Sequence, residues 1–366
     1  MAQRRRLPVI AARRWVQVGF LLVTVAIGVR FALWAEALIG ERTPPVTRPA
    51  GVEGFLPISG LMSLRLWLAG AGIHPVHPAA LAILLAILAM SAVLAKSFCS
   101  HLCPVGTLSE WLGGVGRRLM GRAWSIPRWI DVPLRGIKYF ALAFFLWATW
   151  MAMDLPGVRA FLDSPYNRVV DVKMLLLFAR PARVTIAIVG VLAVGSMLVR
   201  DLWCRYLCPY GALLGLIGRL APLKVTRDPT TCIDCAKCTK ACPARLPVQT
   251  LVRVASVECT SCQDCVAACP VKNCLAVRAP GAIGLRSLVR PAAAVALAVA
   301  VYVGVTTAFR LGGHWRTSVS EAEYARRLPA VEEPLYTHVG GMAAVRPPGA
   351  SSALATSHTG IRSRGR

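Results

Sequence analysis

CIDCAKCTKACP (residues 232–243) and CTSCQDCVAACP (residues 259–270) repeat one frame, C-x2-C-x2-C-x3-C-P. That spacing is how bacterial-type ferredoxins hold [4Fe–4S] clusters. Cysteines three apart on a tight loop can reach three corners of a compact cubane as the chain curls around it. The fourth cysteine of each run is directed to the other cluster. The expected sets are Cys232, Cys235 and Cys238 with Cys269, and Cys259, Cys262 and Cys265 with Cys242. Pro243 and Pro270 then turn the chain away, since proline fixes φ and lacks a donor. Structural zinc is the competing reading, but zinc takes four ligands from two pairs, not a triplet with a distant fourth. A disulfide framework conflicts with the density of the runs and with a reducing compartment. Cys274 falls outside both frames and reads as a buried small apolar residue.

Outward from these runs the chain is apolar. Its 366 residues are 56% hydrophobic with a mean hydropathy of +0.56. Stretches near the ~20-residue spanning length fall at 15–39, 79–95, 136–153, 184–199 and 288–309, while 54–73 reads as an interfacial or re-entrant piece. The fold class expected is a mainly α integral membrane protein of about five transmembrane helices, with an inserted small α+β ferredoxin-like domain carrying two [4Fe–4S] clusters. Its parts are a membrane domain (1–222) with four spans, the ferredoxin-like domain (223–287), a last span (288–309) and a partly disordered tail (310–366).

The 42 Lys and Arg against 17 Asp and Glu give a net charge of +25. The basic residues are scattered between apolar segments with no nucleic-acid module, so anionic lipid and membrane topology explain them, and no nucleic-acid partner is expected. Segments 1–14, 96–135 and 201–287 hold 5, 6 and 11 Lys and Arg, against 3 in 40–78, 5 in 154–183 and 8 in the long tail 310–366. The expected location is therefore a bacterial inner membrane, crossed several times, with the ferredoxin-like domain cytoplasmic and the tail outside. The N-terminal MAQRRRLPVIAARRW reads as a retained helix with a basic anchor, because its apolar run is too long for a signal peptide.

A second repeat sits at the ends of two apolar stretches. KSFCSHLCPVGTL and RDLWCRYLCPYGALL share C-x3-C-P-x-G-x-L, with Cys99 and Cys103 in one copy and Cys204 and Cys208 in the other. Spacing of i, i+4 puts each pair on one helical face. Pro104 and Pro209 suit the first turn of a new helix, where its dipole would lower the thiol pKa of Cys103 and Cys208. Three roles compete: ligands of a further metal centre, redox-active dithiols, or inert packing residues. Recurrence of the frame argues against the last.

Both CxxxCP sites together with the tandem ferredoxin runs resemble the membrane polyferredoxins related to NapH, NosR and YccM, and more distantly CcoG. The stretch RPAGVEGFLPISGLMSLRLWL (48–68) resembles the NosR/YccM branch. That resemblance covers roughly residues 10–310 and implies two [4Fe–4S] clusters and electron transfer with quinone or quinol, or a membrane cytochrome, serving respiratory reductase components. The chain would be an electron carrier rather than a substrate-converting enzyme. An assembly or maturation factor for a respiratory metalloenzyme is the alternative, and a redox-sensing regulator lacks an output domain. The sequence departs from NosR in having no N-terminal flavin-binding domain and from CcoG in its short C-terminal segment.

Other polar residues read as structural. His74 and His77 stand in a proline-broken turn and are expected to be solvated or capping. His101 lies within the first CxxxCP site, where the second has Tyr206. Glu53 is expected to be a solvated interfacial carboxylate, and Arg30 to reach back to the interface. No phosphate loop, dinucleotide fingerprint or nucleophile elbow stands in a credible setting.

Overall fold

A computed structural model describes residues 2–121, 126–279, 288–289 and 291–338. Helix α1 (Ala2–Ile39) leads through a 3₁₀ turn at Ala50–Phe55 to α2 (Pro57–Leu68) and α3 (Pro78–Val93). The first CxxxCP site is split between α4 (Ser97–His101) and α5 (Pro104–Met120). Helix α6 (Arg128–Trp150) turns by 96° into α7 (Leu155–Asp163), and α8 (Pro165–Arg168) is a single turn. Helices α9 (Val170–Ala179) and α10 (Arg183–Leu198) meet at 74°. A π-helical turn at Trp203–Leu207 carries the second site into α11 (Pro209–Gly218).

Strand β1 (Lys224–Arg227) opens the cysteine-rich segment, α12 (Lys237–Ala241) and α13 (Asp264–Ala268) follow, and β2 (Leu275–Arg278) closes it. β1 and β2 pair antiparallel with Lys224 opposite Arg278 and Arg227 opposite Leu275, and β3 (Leu288–Val289) adds a third strand beside β2. Helices α14 (Pro291–Leu311) and α15 (Glu321–Arg327) end the element order before a 3₁₀ turn at Pro334–Tyr336. The expected disorder of the last twenty residues lies outside the described residues.

Among the described residues, α1 (over Ala11–Ile39) and α14 are long and apolar enough to cross a bilayer, and up to four crossings result if each bent pair counts as one. The bends have local causes. Asp154 caps α7 by accepting from the Gly157 N–H at 2.8 Å, and Pro181 halts the helix before α10. The expected span at 79–95 is α3, a 16-residue helix with no charged side chain and Pro78 in its first turn. It is buried along most of its length against α2, α11 and α14, so it forms the centre of the bundle. The last expected span starts three residues late, because residues 288–289 are strand.

Two of the packing centres lie toward opposite ends of α1. One joins α3, the CxxxCP helices and the cysteine-rich segment through residues such as Met90, Phe98, Leu214, Val225 and Cys265. The other seats α15 on the far end of α1, where Trp34 stacks on Phe31 and meets the edge of Tyr324 at 4.9 Å. Arg30 donates to Thr47, as an arginine reaching toward an interface should.

Candidate metal centres

The two CxxxCP sites have one geometry. Cys103 and Cys208 are the N-caps of α5 and α11, both extended (φ −67° and −72°), with Pro104 and Pro209 in the first turn. Each sulfur accepts from the glycine N–H three residues on, Gly106 at 3.4 Å and Gly211 at 3.3 Å. A Cβ at Gly106 would strike the Cys99 carbonyl, so glycine is required there. The paired cysteines do not share a helical face. Cys99 belongs to α4 and Cys204 to the π-helical turn, because the proline forces a new helix after the second cysteine.

All four sulfurs come within electrostatic reach of one another. The expected lowering of the Cys103 pKa is overturned. Burial pushes its thiol up to about 11, outweighing the Gly106 N–H, and Cys99 up to about 12. Burial raises Cys204 well above its ordinary value as well.

The ferredoxin runs also match each other. The residues on either side of the second cysteine are left-handed in both: Asp234 (φ 47°) and Ala236 (57°), Ser261 (51°) and Gln263 (63°). Non-glycine residues pay about 1–2 kcal/mol for this conformation, and it is kept at the same four places because the loop must wind around something. Two cavities result. One of about 360 Å³ is lined by Cys232, Cys235, Cys238 and Cys269, and also by Cys274, which belongs to neither run. The other, of about 350 Å³, is lined by Cys242, Cys259, Cys262 and Cys265. Each therefore collects three cysteines of one run and the fourth of the other.

Among the described residues no three His, Cys, Asp or Glu side chains converge on a point where a single ion would sit. Tetrahedral zinc at ~2.3 Å from sulfur would hold its ligands about 4 Å apart. Thiols spread around a cavity fit a polynuclear cluster and not one zinc ion. Burial pushes the Cys259 thiol up to about 11 and raises Cys238, Cys262 and Cys265. Cys235 is exposed and Cys265 is buried, so one cavity faces outward and the other inward.

The inward cavity meets the CxxxCP site across a cleft of about 620 Å³, where Cys99, Cys204 and Cys262 share a lining with Lys96, Arg13 and Arg205. Ion pairs clamp the cysteine-rich segment there. Arg13 of α1 donates to Glu110 at 2.8 Å and to Asp264 of α13 at 3.3 Å. Lys138 of α6 donates to both oxygens of Glu258, at 2.6 and 2.8 Å. Beside these clamps, Asp131 of α6 holds the second CxxxCP site, accepting from Arg205 at 2.8 and 2.9 Å and from the Tyr206 hydroxyl at 2.5 Å. None of these pairs is visible in the sequence, because each joins residues more than 70 apart.

Some polar residues depart from expectation. Glu53 is not solvated. It has no exposure, accepts from the Ala79 N–H and from Arg48 at 3.0 Å each, and Arg48 also binds Asp171. His74 and His77 are buried, not solvated. His77 precedes α3, contacts the Asn167 carbonyl at 2.7 Å and places Nδ1 3.5 Å from Glu53, too long for a well-formed hydrogen bond. Burial opposes the His77 charge, but the Glu53 carboxylate wins and raises its pKa. His101 is buried with Nδ1 2.9 Å from the Ser97 carbonyl, and burial lowers its pKa to about 4. Cys274 is buried, as expected.

Residues 76–127 and 182–227 match the family described as a 4Fe-4S binding domain, and residues 224–278 match the 4Fe-4S dicluster domain. The first match contains both CxxxCP sites and the second both ferredoxin runs. The chain is similar to YccM of Escherichia coli (strain K12), which is named for electron transport: 40% identical over 329 residues, covering 89% of this chain and 91% of YccM. Protein NirI of Paracoccus denitrificans (strain Pd 1222) is 28% identical over 163 residues, 44% of this chain and 23% of NirI. The ferredoxin-type protein NapH of Escherichia coli (strain K12) is 26% identical over 176 residues, 45% of this chain and 55% of NapH. No solved structure matches.

Proposed function

The chain belongs to the NapH/NosR/YccM-type family of membrane-bound 4Fe-4S ferredoxin-type proteins, and from that premise we propose that it passes electrons between the quinone pool, or a membrane cytochrome, and a respiratory reductase system. The observation that carries this reading is the succession of cysteine sites. The CxxxCP thiols sit among the helices, the inward cavity adjoins them through Cys262, and the outward cavity ends at exposed Cys235.

Cys232, Cys235, Cys238 and Cys269 hold one cluster, and Cys259, Cys262, Cys265 and Cys242 hold the other. Two [4Fe–4S] clusters, when bound, supply two sites that each take up and release one electron. The protein's own part is to hold them in fixed places and to keep water from the inner one. It also sets charge beside them through Lys96, Arg13 and Arg205. Cys99, Cys103, Cys204 and Cys208 act together, as redox thiols or as ligands of an additional centre, because their sulfurs lie within electrostatic reach of one another.

The membrane part comprises 1–222 and 288–309, the ferredoxin-like part 223–287 and the tail 310–366. Five crossings, by α1, α3, α6, α10 and α14, put the ferredoxin-like part in the cytoplasm of a cell with this protein in its inner membrane. Two features support this arrangement. The segments on the cytoplasmic side (1–14, 96–135 and 201–287) hold 22 Lys and Arg, against 16 on the other side. The 40–78, 154–183 and 310–338 segments meet at one end of the bundle, as the contacts of Arg48 with Asp171 and of Asp171 with Tyr324 illustrate.

The crossed ligand sets are tested by single Cys→Ser changes read by EPR and by iron and acid-labile sulfide content after anaerobic purification. Cys242→Ser should remove the same signal as Cys262→Ser, and Cys269→Ser the same as Cys232→Ser. Pairing by sequence run instead, with Cys242→Ser matching Cys232→Ser, would sink the assignment.

A further inference from the structure

A second cavity lies between α1 and α14 and takes no part in holding the cysteines. It is a mostly apolar cleft, the kind of site that takes a ring-bearing small molecule. Its walls include Phe20 and Thr24 of α1 and Tyr302 and Thr306 of α14, with Phe20 against the edge of Tyr302 at 5.6 Å. The hydroxyls of Thr24 and Thr306 bond carbonyls of their own helices, which leaves the Tyr302 hydroxyl and, where α14 ends, the Arg310 guanidinium over Trp315 as donors on the lining. Between the two helices the flank is apolar and open, with Val23 and Val303 half exposed.

What lies at the ends of this cavity narrows the guest. One end is formed by Phe98 and Pro104, the immediate neighbours of Cys99 and Cys103. Tyr210 lies within electrostatic reach of both those thiols and of Tyr302. The other end is the turn bearing Gly51 and Gly54, and Glu53 of the same turn belongs to the buried Arg48–Asp171–His77 cluster. One end thus adjoins sulfur sites and the other a buried cluster of titratable groups. A fatty-acyl chain needs neither. A quinone exchanges electrons and protons and uses both.

We infer that the cavity between α1 and α14 is a binding site for the ring of an isoprenoid quinone, with the Tyr302 hydroxyl donating to a ring carbonyl and the tail leaving between the two helices. This site rests on the quinone reading of the function proposed above. Phospholipid is the competing occupant, and the test separates the two.

The full chain, purified anaerobically into phospholipid nanodiscs, is photolabelled with an azido-benzoquinone carrying a ten-carbon tail, and the adducts are mapped by mass spectrometry. Label is expected in the peptides bearing Phe20 to Ile27 and Tyr302 to Arg310, displaced by excess decylubiquinone. Thr306→Trp, which fills the cavity, should abolish it. Tyr302→Phe should weaken it about fivefold, the loss of one hydrogen bond. Iron and sulfide content should be unchanged in both. If Thr306→Trp does not fold, Tyr302→Phe decides, and unaltered labelling in it overturns the site. Displaceable label confined to other helices also overturns the site and leaves the quinone reading standing. Label in the cavity displaced by added phospholipid and not by decylubiquinone makes it an acyl-chain seat. Absence of any displaceable label removes the quinone reading itself, and the site with it.

Discussion

Lys138 has no solvent exposure, and its ammonium is tolerated because Glu258 meets it with both oxygens. Removing one member of a buried pair leaves an uncompensated charge, at about 3–5 kcal/mol, whereas replacing both by apolar groups is often close to neutral. Glu258→Gln should therefore lower the thermal midpoint in detergent far more than the double change Lys138→Met with Glu258→Leu. Equal losses would show that the pair contributes only its packing volume. His77 makes a prediction about pH. Its folded pKa is raised above 6.5 by Glu53, so more protons are bound folded than unfolded above that pH. The stabilisation is fully present below 6.5 and is lost as pH rises through the folded pKa. His77→Gln should remove this alkaline loss of thermal stability, and a variant that keeps the wild-type slope would assign it elsewhere. These polar residues were the least legible part of the sequence. Glu53 read as solvated, and His74 and His77 as solvated or capping, because the sequence does not show that Arg48, Asn167 and Asp163 come against them.

At the scale of elements, the signals carried by proline and glycine translated directly into structure. Pro104 and Pro209 begin α5 and α11, and the glycine after each donates its N–H to the capping sulfur. The same prolines defeat the simple i, i+4 argument for the cysteine pairs, since no single helix contains both members. The ferredoxin runs were legible in spacing alone, and the two cavities follow their crossed pairing. The right-angled turn after α6 and the short α3 were not, because a hydropathy window does not distinguish a straight span from a bent one or from a buried central helix. Helix α5 packs on α10 so closely that a Cβ at Gly116 would collide with the Met197 carbonyl. Gly116→Ala should destabilise by about 1–3 kcal/mol, the usual cost of overpacking. Gly114→Ala, where the only near neighbour is the far end of Arg117, should be close to neutral or slightly stabilising. Paired melting curves check this, and equal behaviour would deny the close approach of the two helices.

For the whole molecule, charge and hydropathy indicated a membrane bundle with a cysteine-rich part at one end, and the two packing centres are separated in that way. The way the cysteine-rich part is held was not readable, since the ion pairs of Arg13 with Asp264 and of Lys138 with Glu258 each join distant stretches of chain. Those clamps fix which cavity faces the helices and which faces away. Cys235 is in the open and Cys265 is not. Dioxygen is small but must still arrive by diffusion, and a lattice of iron and sulfide is corroded from the side it can reach. A sample loaded without air and then briefly ventilated should bleach in two stages. The half of its iron carried by the outer loop should go first, and the half behind the clamps only after a lag. Iron released with a single time course would mean that the clamps give no shelter.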